Sequence, residues 1–216
     1  MIPCSKLTTV SLLQVSYLPL TSLLLHLTTT CSMKSKHINT VIAICLISIA
    51  TVARILNARM HVPNLVPIAG IGLFGGAVLR DRKMLAFLAP MAGQFLADAY
   101  FQFFTTTPGF YPGQQYTYIA LVAAAGLGLA LQNTKAINVL LGLFGASTLF
   151  FLISNFGYYM GGWNGYSFAG LEKTYIDAIP FFRNTLAADM IGGIVLFGGY
   201  FLTQKLVENK MQQAQA

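Results

Sequence analysis

An all-α integral membrane protein of about six transmembrane helices, with both termini cytoplasmic, is the fold class this sequence predicts. Three observations carry that prediction. Hydrophobic residues fill 56% of the 216 positions and charged residues only 9%, against roughly 25% charged in a soluble domain. The apolar residues gather into six runs of near-membrane length, and Lys and Arg collect on alternate connections between them. A soluble domain of this size could not hide so much apolar surface, and lipid supplies the missing solvent.

The six runs are placed near Ile38–Leu56, Val62–Leu79, Met84–Phe104, Tyr116–Leu131, Ala136–Phe156 and Ala178–Leu202. A span needs about 20 apolar residues. The fourth run is slightly short, and the sixth is long enough to tilt. None shows the alternation of a lipid-facing strand, so helices are the element expected. Two connections are longer than the rest: Thr105–Gln115, with Pro108, Gly109, Pro112 and Gly113, and Gly157–Asp177, rich in Gly and aromatics. The remaining loops are tight enough to make consecutive helices antiparallel neighbours.

With the segment before the first run inside, Lys34, Lys36, Arg80, Arg82, Lys83, Lys135, Lys205 and Lys210 fall on the cytoplasmic side. Arg54, Arg59, Lys173 and Arg183 fall outside. This bias sets both termini inside, in a cell (inner) membrane. Residues 1–37 form a leader of uncertain status, readable as disordered, signal-like, a seventh span or an upstream-start extension. Residues 38–204 form the transmembrane domain, and 205–216 a polar cytoplasmic tail. The formal charge of +7 is scattered between apolar runs rather than gathered on one face, which argues against a nucleic-acid partner. Cys4, Cys31 and Cys45 have neither metal-ligand nor disulfide-framework spacing. No Walker A, H-E-x-x-H or G-x-S-x-G motif is present, and no cofactor is implied.

The depth of the polar residues is the informative feature. In this orientation the cytoplasmic halves of the later helices are almost purely apolar. The outer halves hold Arg54, Asn57, Asn64, Gln94, Asp98, Gln102, Ser154, Asn155, Arg183, Asn184 and Asp189. Ionisable groups in hydrocarbon cost at least about 2.5 kcal/mol each on insertion scales, so they face a cavity or each other. One outward polar chamber lined by Asn64, Asp98, Asn155, Arg183, Asn184 and Asp189 accounts for them together. Plainer readings stand beside each residue. Asp98 and Arg183 would form a structural ion pair, Asn155 and Asn184 would hold helices together, and Arg54 and Arg59 would reach to the interface. His61 would lie solvated in a loop.

Pro180 suits the first turn of the last helix, whose free N–H groups, with Arg183, would seat an anionic or carbonyl group. An ordinary helix start is the alternative. Trp163 and Tyr166 in the aromatic loop would form either an interfacial belt or a lid over the chamber. Small residues at four-residue spacing (Ala89, Gly93 and Ala97; Ala124 and Gly128; Gly142 and Ala146; Ala188 and Gly192) let helices approach closely, most simply those of the same chain. The Arg80-Asp81-Arg82-Lys83 turn reads as a topology anchor.

From Arg54 to Gly199 the chain resembles a family of uncharacterised six-helix bacterial membrane proteins. The resemblance is carried by Arg54, His61-Val62-Pro63-Asn64, Pro67, Leu73-Phe74-Gly75-Gly76-Ala77, Pro90, Asp98, Ser154-Asn155-Phe156-Gly157, Gly170-Leu171, Tyr175, Ala178 through Thr185, and Asp189. More remotely, the Leu73-Phe74-Gly75 element and the helix that carries Asp98 are similar to the substrate-binding (S) components of energy-coupling factor transporters. That resemblance implies capture of vitamins or metal ions from the outer face and coupling to an ATPase module. The Ala-x-x-x-Ala pattern of their first helix is not clearly present: Ala43, Ser48, Ala50 and Ala53 stand at other spacings.

The function expected is therefore a non-enzymatic, solute-capturing subunit of a transporter. Its partners would be membrane lipid, a zwitterionic or heterocyclic small solute and a coupling/ATPase module. A ligand-free envelope scaffold is the alternative. An intramembrane enzyme with Asp98 and Asp189 as paired carboxylates is the remaining one.

Overall fold

A computed structural model describes residues 20–60, 64–131, 133 and 135–213, with side chains from residue 38 onward except Met211. The leader to Ser16-Tyr17-Leu18-Pro19 and the His61–Pro63 stretch lie outside the described residues. The described chain is all-helical, with six α-helices: α1 (Leu20–Met60), α2 (Ile68–Val78), α3 (Lys83–Phe104), α4 (Gln115–Ala130), α5 (Ala136–Met160) and α6 (Phe168–Gln213). Four segments are long and apolar enough to cross a membrane: Ile38–Met60, Arg80–Phe104, Ala136–Met160 and Phe168–Lys210. Their outer faces stay apolar, as at Ile38, Val41, Ile44, Val52 and Leu56 along α1. Large exposed apolar faces of this kind mark a surface that meets a membrane or another protein.

The shortest helix is the hub. α2 packs against all five other helices, and Ile68 through Gly76 are all buried. Eleven residues at 1.5 Å each span roughly half of a hydrocarbon core of about 30 Å. Small residues make this possible. A Cβ on Gly76 would overlap the Ala125 carbonyl oxygen, and one on Gly128 would overlap that of Leu73, so the α2 and α4 backbones nearly touch. Gly93 sits against Ala50 of α1, Gly142 against Leu73, and Gly192 against Pro67. The four-residue spacing of small side chains thus serves packing among the chain's own helices. Arg80 on the short turn after α2 donates to the Leu131 carbonyl at the end of α4, closing a helix end that lacks its own N–H partners.

The helix boundaries depart from the sequence prediction in two places that bear on function. α2 starts at Ile68 rather than Val62, because Pro67 disfavours helical geometry in the residue before it. Asn64 lies in the left-handed region with φ of 57°, which Asn tolerates better than most residues. α6 starts at Phe168 rather than Ala178. Ser167 Oγ accepts the Gly170 N–H at 3.1 Å as the N-cap of this helix, and Lys173–Asp177 supports the first turns at 2.6 Å. Pro180 is consequently an interior residue of α6, and the anion seat expected at a helix start beside it does not exist. The expected polar tail also continues α6 as helix to Gln213.

Candidate functional site

One end of the bundle contains two linked features, a buried carboxylate network and a cavity. Asp98, near the C-terminal end of α3, is 0% exposed. Arg54 Nη2 of α1 donates to its Oδ1 at 2.8 Å. Gln94 Nε2, one turn earlier on α3, donates to both oxygens at 3.1 and 3.0 Å. Gln114 Nε2 and the Tyr118 hydroxyl, at the start of α4, donate to Oδ2 at 2.5 and 2.8 Å. A charged carboxylate taken out of water needs a counter-charge and a full set of donors, and Asp98 has both. The loop between α3 and α4 is built around the same point. Gln114 also donates to the Gly109 carbonyl, and Gln102 Oε1 accepts from the N–H groups of Gly109 and Phe110.

Arg54 joins this network to the cavity. The void measures about 400 Å³, at the lower end of the roughly 300–1,000 Å³ typical of small-molecule sites. Arg54 and Asn57 of α1, Asn64 before α2, Thr117 of α4, Ser154 and Asn155 of α5, and Thr185 of α6 give it a polar lining. Phe101, Tyr111, Phe150, Phe151, Tyr158, Phe181 and Phe182 supply aromatic walls. The Arg54 guanidinium lies 5.8 Å from the centre of the Phe101 ring, and Phe151 and Phe182 meet at 4.6 Å. Two polar atoms of lining residues, Arg54 Nε and Asn57 Oδ1, are buried without a hydrogen-bond partner. Such atoms cost about 1–3 kcal/mol each when left unpaired. Folded proteins keep few of them, and each asks for an explanation.

Asp189 is elsewhere. It is also 0% exposed, but its Oδ1 accepts the Gly70 N–H of α2 at 2.8 Å and its Oδ2 accepts the Ser147 hydroxyl of α5 at 2.6 Å. Gly70 is the third residue of α2, and the residue before that helix is Pro67, which offers no side-chain cap. Asp189 therefore caps α2 from a neighbouring helix and complements the positive end of its dipole.

Of the residues expected in one chamber, Asn64 and Asn155 line the void, and Asp98 stands behind it through Arg54. Asp189 belongs to the separate α2 cap. Arg183 is exposed and is not the partner of Asp98; that partner is Arg54, which therefore does not simply reach to an interface. Asn184 is half-buried on α6 outside the lining. Trp163 and Tyr166 are 51% and 69% exposed. Trp163 stacks on the cavity residue Tyr158 at 5.5 Å and donates to the Pro112 carbonyl at 3.4 Å, while Tyr166 packs on Tyr159. The aromatic turn is thus a rim joined to one wall. The polar residues absent from the expected set are Asn57, Thr117, Ser154 and Thr185 in the lining, Gln94, Gln114 and Tyr118 around Asp98, and Ser147 beside Asp189. Asn57, three positions after Arg54, and the Gln114-Gln115-Tyr116-Thr117-Tyr118 run were the available signals.

Among the described residues no group of three His, Cys, Asp or Glu side chains could hold a metal ion. Neither a curated protein nor a solved structure matches the chain, so the similarity to S components rests on the sequence elements alone. A family profile matches residues 34–213, most of the chain and every helix that builds the cavity. The chain belongs to the family of unknown function designated DUF6580.

Proposed function

We propose that this protein is a multi-pass inner-membrane protein that captures a small solute in the Arg54–Asn155 cavity, as the substrate-binding subunit of a transporter. The observation that carries this reading is the void itself, with buried, unpartnered polar atoms on Arg54 and Asn57 of its lining. Two of the four buried, unpartnered side-chain polar atoms among the described residues belong to this lining, where a bound solute would pair them.

Chain order supports an outward opening. The cavity is lined by the C-terminal parts of α1, α3 and α5 and by residues at the start of α2 and α4. Arg80, Arg82, Lys83 and Lys135 lie on the connections at the other ends of these helices. The positive-inside rule then puts the basic connections and both termini in the cytoplasm and the cavity outside. In this arrangement α2 and α4 complete six crossings, with α2 too short to span alone and buried among its neighbours.

The test is thermal unfolding of the purified chain with sets of amino acids, sugars, nucleobases and water-soluble vitamins. A captured solute at 100 times its Kd stabilises the folded state by about 2.7 kcal/mol, and Ala178→Trp, which fills the cavity, removes that stabilisation. The reading fails if no solute raises the Tm of the wild-type chain, or if the filled variant responds equally.

A further inference from the structure

The charges and hydrogen bonds inside the cavity narrow the class of solute. This step rests on the capture reading above. Among the lining residues, the one permanently charged side chain is Arg54, and its guanidinium is already paired with Asp98 at 2.8 Å. Asp98 in turn holds Gln94, Gln114 and Tyr118. Among the described residues, no carboxylate faces the void to neutralise a cation, and no cation is left over for an anion. An ionic solute would surrender its hydration without receiving a counter-charge, which disfavours it strongly.

What the lining holds in reserve is a neutral pair of opposite polarity. Arg54 Nε can only donate and Asn57 Oδ1 can only accept, and both are buried without a partner. They stand three residues apart on α1, a spacing that places side chains on one helix face. The complement of a donor beside an acceptor is a C=O beside an N–H. Around this pair, Phe101, Phe150, Phe151 and Phe182 offer ring faces and edges, which favour a flat, conjugated partner. We infer that the cavity takes a neutral planar heterocycle or aryl carboxamide, with its C=O received by Arg54 Nε and its N–H by Asn57 Oδ1.

Probes that differ in charge test this first on the wild-type chain. Nicotinamide and uracil carry the amide edge, nicotinate replaces it with a carboxylate, and benzamidine replaces it with a cation. The inference predicts that nicotinamide or uracil raises the Tm of the full-length chain, while nicotinate and benzamidine do not at equal concentration. Asn57→Ala should weaken the neutral probe about tenfold, the loss expected for one hydrogen bond, whereas Asn57→Asp, which keeps the acceptor, should retain more of the binding. Stabilisation by nicotinate or benzamidine at least equal to that by the neutral probes overturns the amide-edge assignment and leaves solute capture standing. Neutral-probe binding that is unchanged in both Asn57 variants also overturns it. If these four and the whole solute set leave the Tm unmoved, both the assignment and the capture reading fall.

Discussion

At the scale of single residues, the two buried aspartates share a residue type and differ in chemistry. Asp98 answers a cation, and Asp189 answers a helix end. Asp98→Asn would leave the Arg54 guanidinium without its carboxylate and turn an amide N–H toward a site where Gln94, Gln114 and Tyr118 already donate. Breaking a buried ion pair in this way costs about 3–5 kcal/mol, so a marked fall in Tm is expected. Asp189→Asn should cost about 1 kcal/mol or less, because the amide oxygen still accepts the Gly70 N–H and no cation is stranded. Asp189→Leu should cost about 1–3 kcal/mol by leaving that N–H buried and unpaired. Equal losses for the two Asn variants in thermal unfolding would contradict this division. The division was only partly legible in the sequence. Burial of both carboxylates followed from their depth in apolar runs, but Arg54 and Asp98 lie 44 positions apart, and no local spacing rule selects Arg54 over Arg183.

At the scale of elements, close backbone approach fixes the position of α2. Gly76→Ala would drive a methyl into the Ala125 carbonyl, and overpacking of this kind costs about 1–3 kcal/mol. Gly126→Ala, one residue along α4, meets nothing within 4 Å and should be neutral or stabilise by about 0.5–1 kcal/mol through helix propensity. Opposite signs for the two variants in the same unfolding assay are the expected result. Ser167→Ala should cost about 1 kcal/mol by removing the cap of α6, with fraying visible as faster hydrogen exchange over residues 168–171. Small-residue spacing pointed to close approach at Gly93, Gly128, Gly142 and Gly192, because it reports directly on how near two helices can come, but it did not single out Gly76. The start of α6 was missed for a different reason. Pro180 fits a first turn by local preference, yet the capped and ion-paired stretch from Phe168 already has the helix under way, and one lost N–H does not stop it.

At the scale of the whole molecule, the six-helix class was readable because hydrophobic runs and basic connections are properties of the chain before it folds. The cavity was readable only in part. Polar side chains placed at one depth pointed to one end of the bundle, but depth says nothing about direction around a helix axis. Asn64 and Asn155 therefore meet the void while Asp189 and Arg183 turn elsewhere. On the membrane reading proposed above, a void at one end of the bundle acquires functional meaning from the side on which it opens. That point is decided most directly by cysteine labelling in intact cells, in a background with Cys4, Cys31 and Cys45 replaced by Ser. A membrane-impermeant maleimide applied from outside should modify Asn155→Cys and Asn64→Cys, and should reach Lys135→Cys only after permeabilisation. Labelling of Lys135→Cys from outside, with Asn155→Cys and Asn64→Cys protected until the membrane is opened, would contradict the outward-facing cavity.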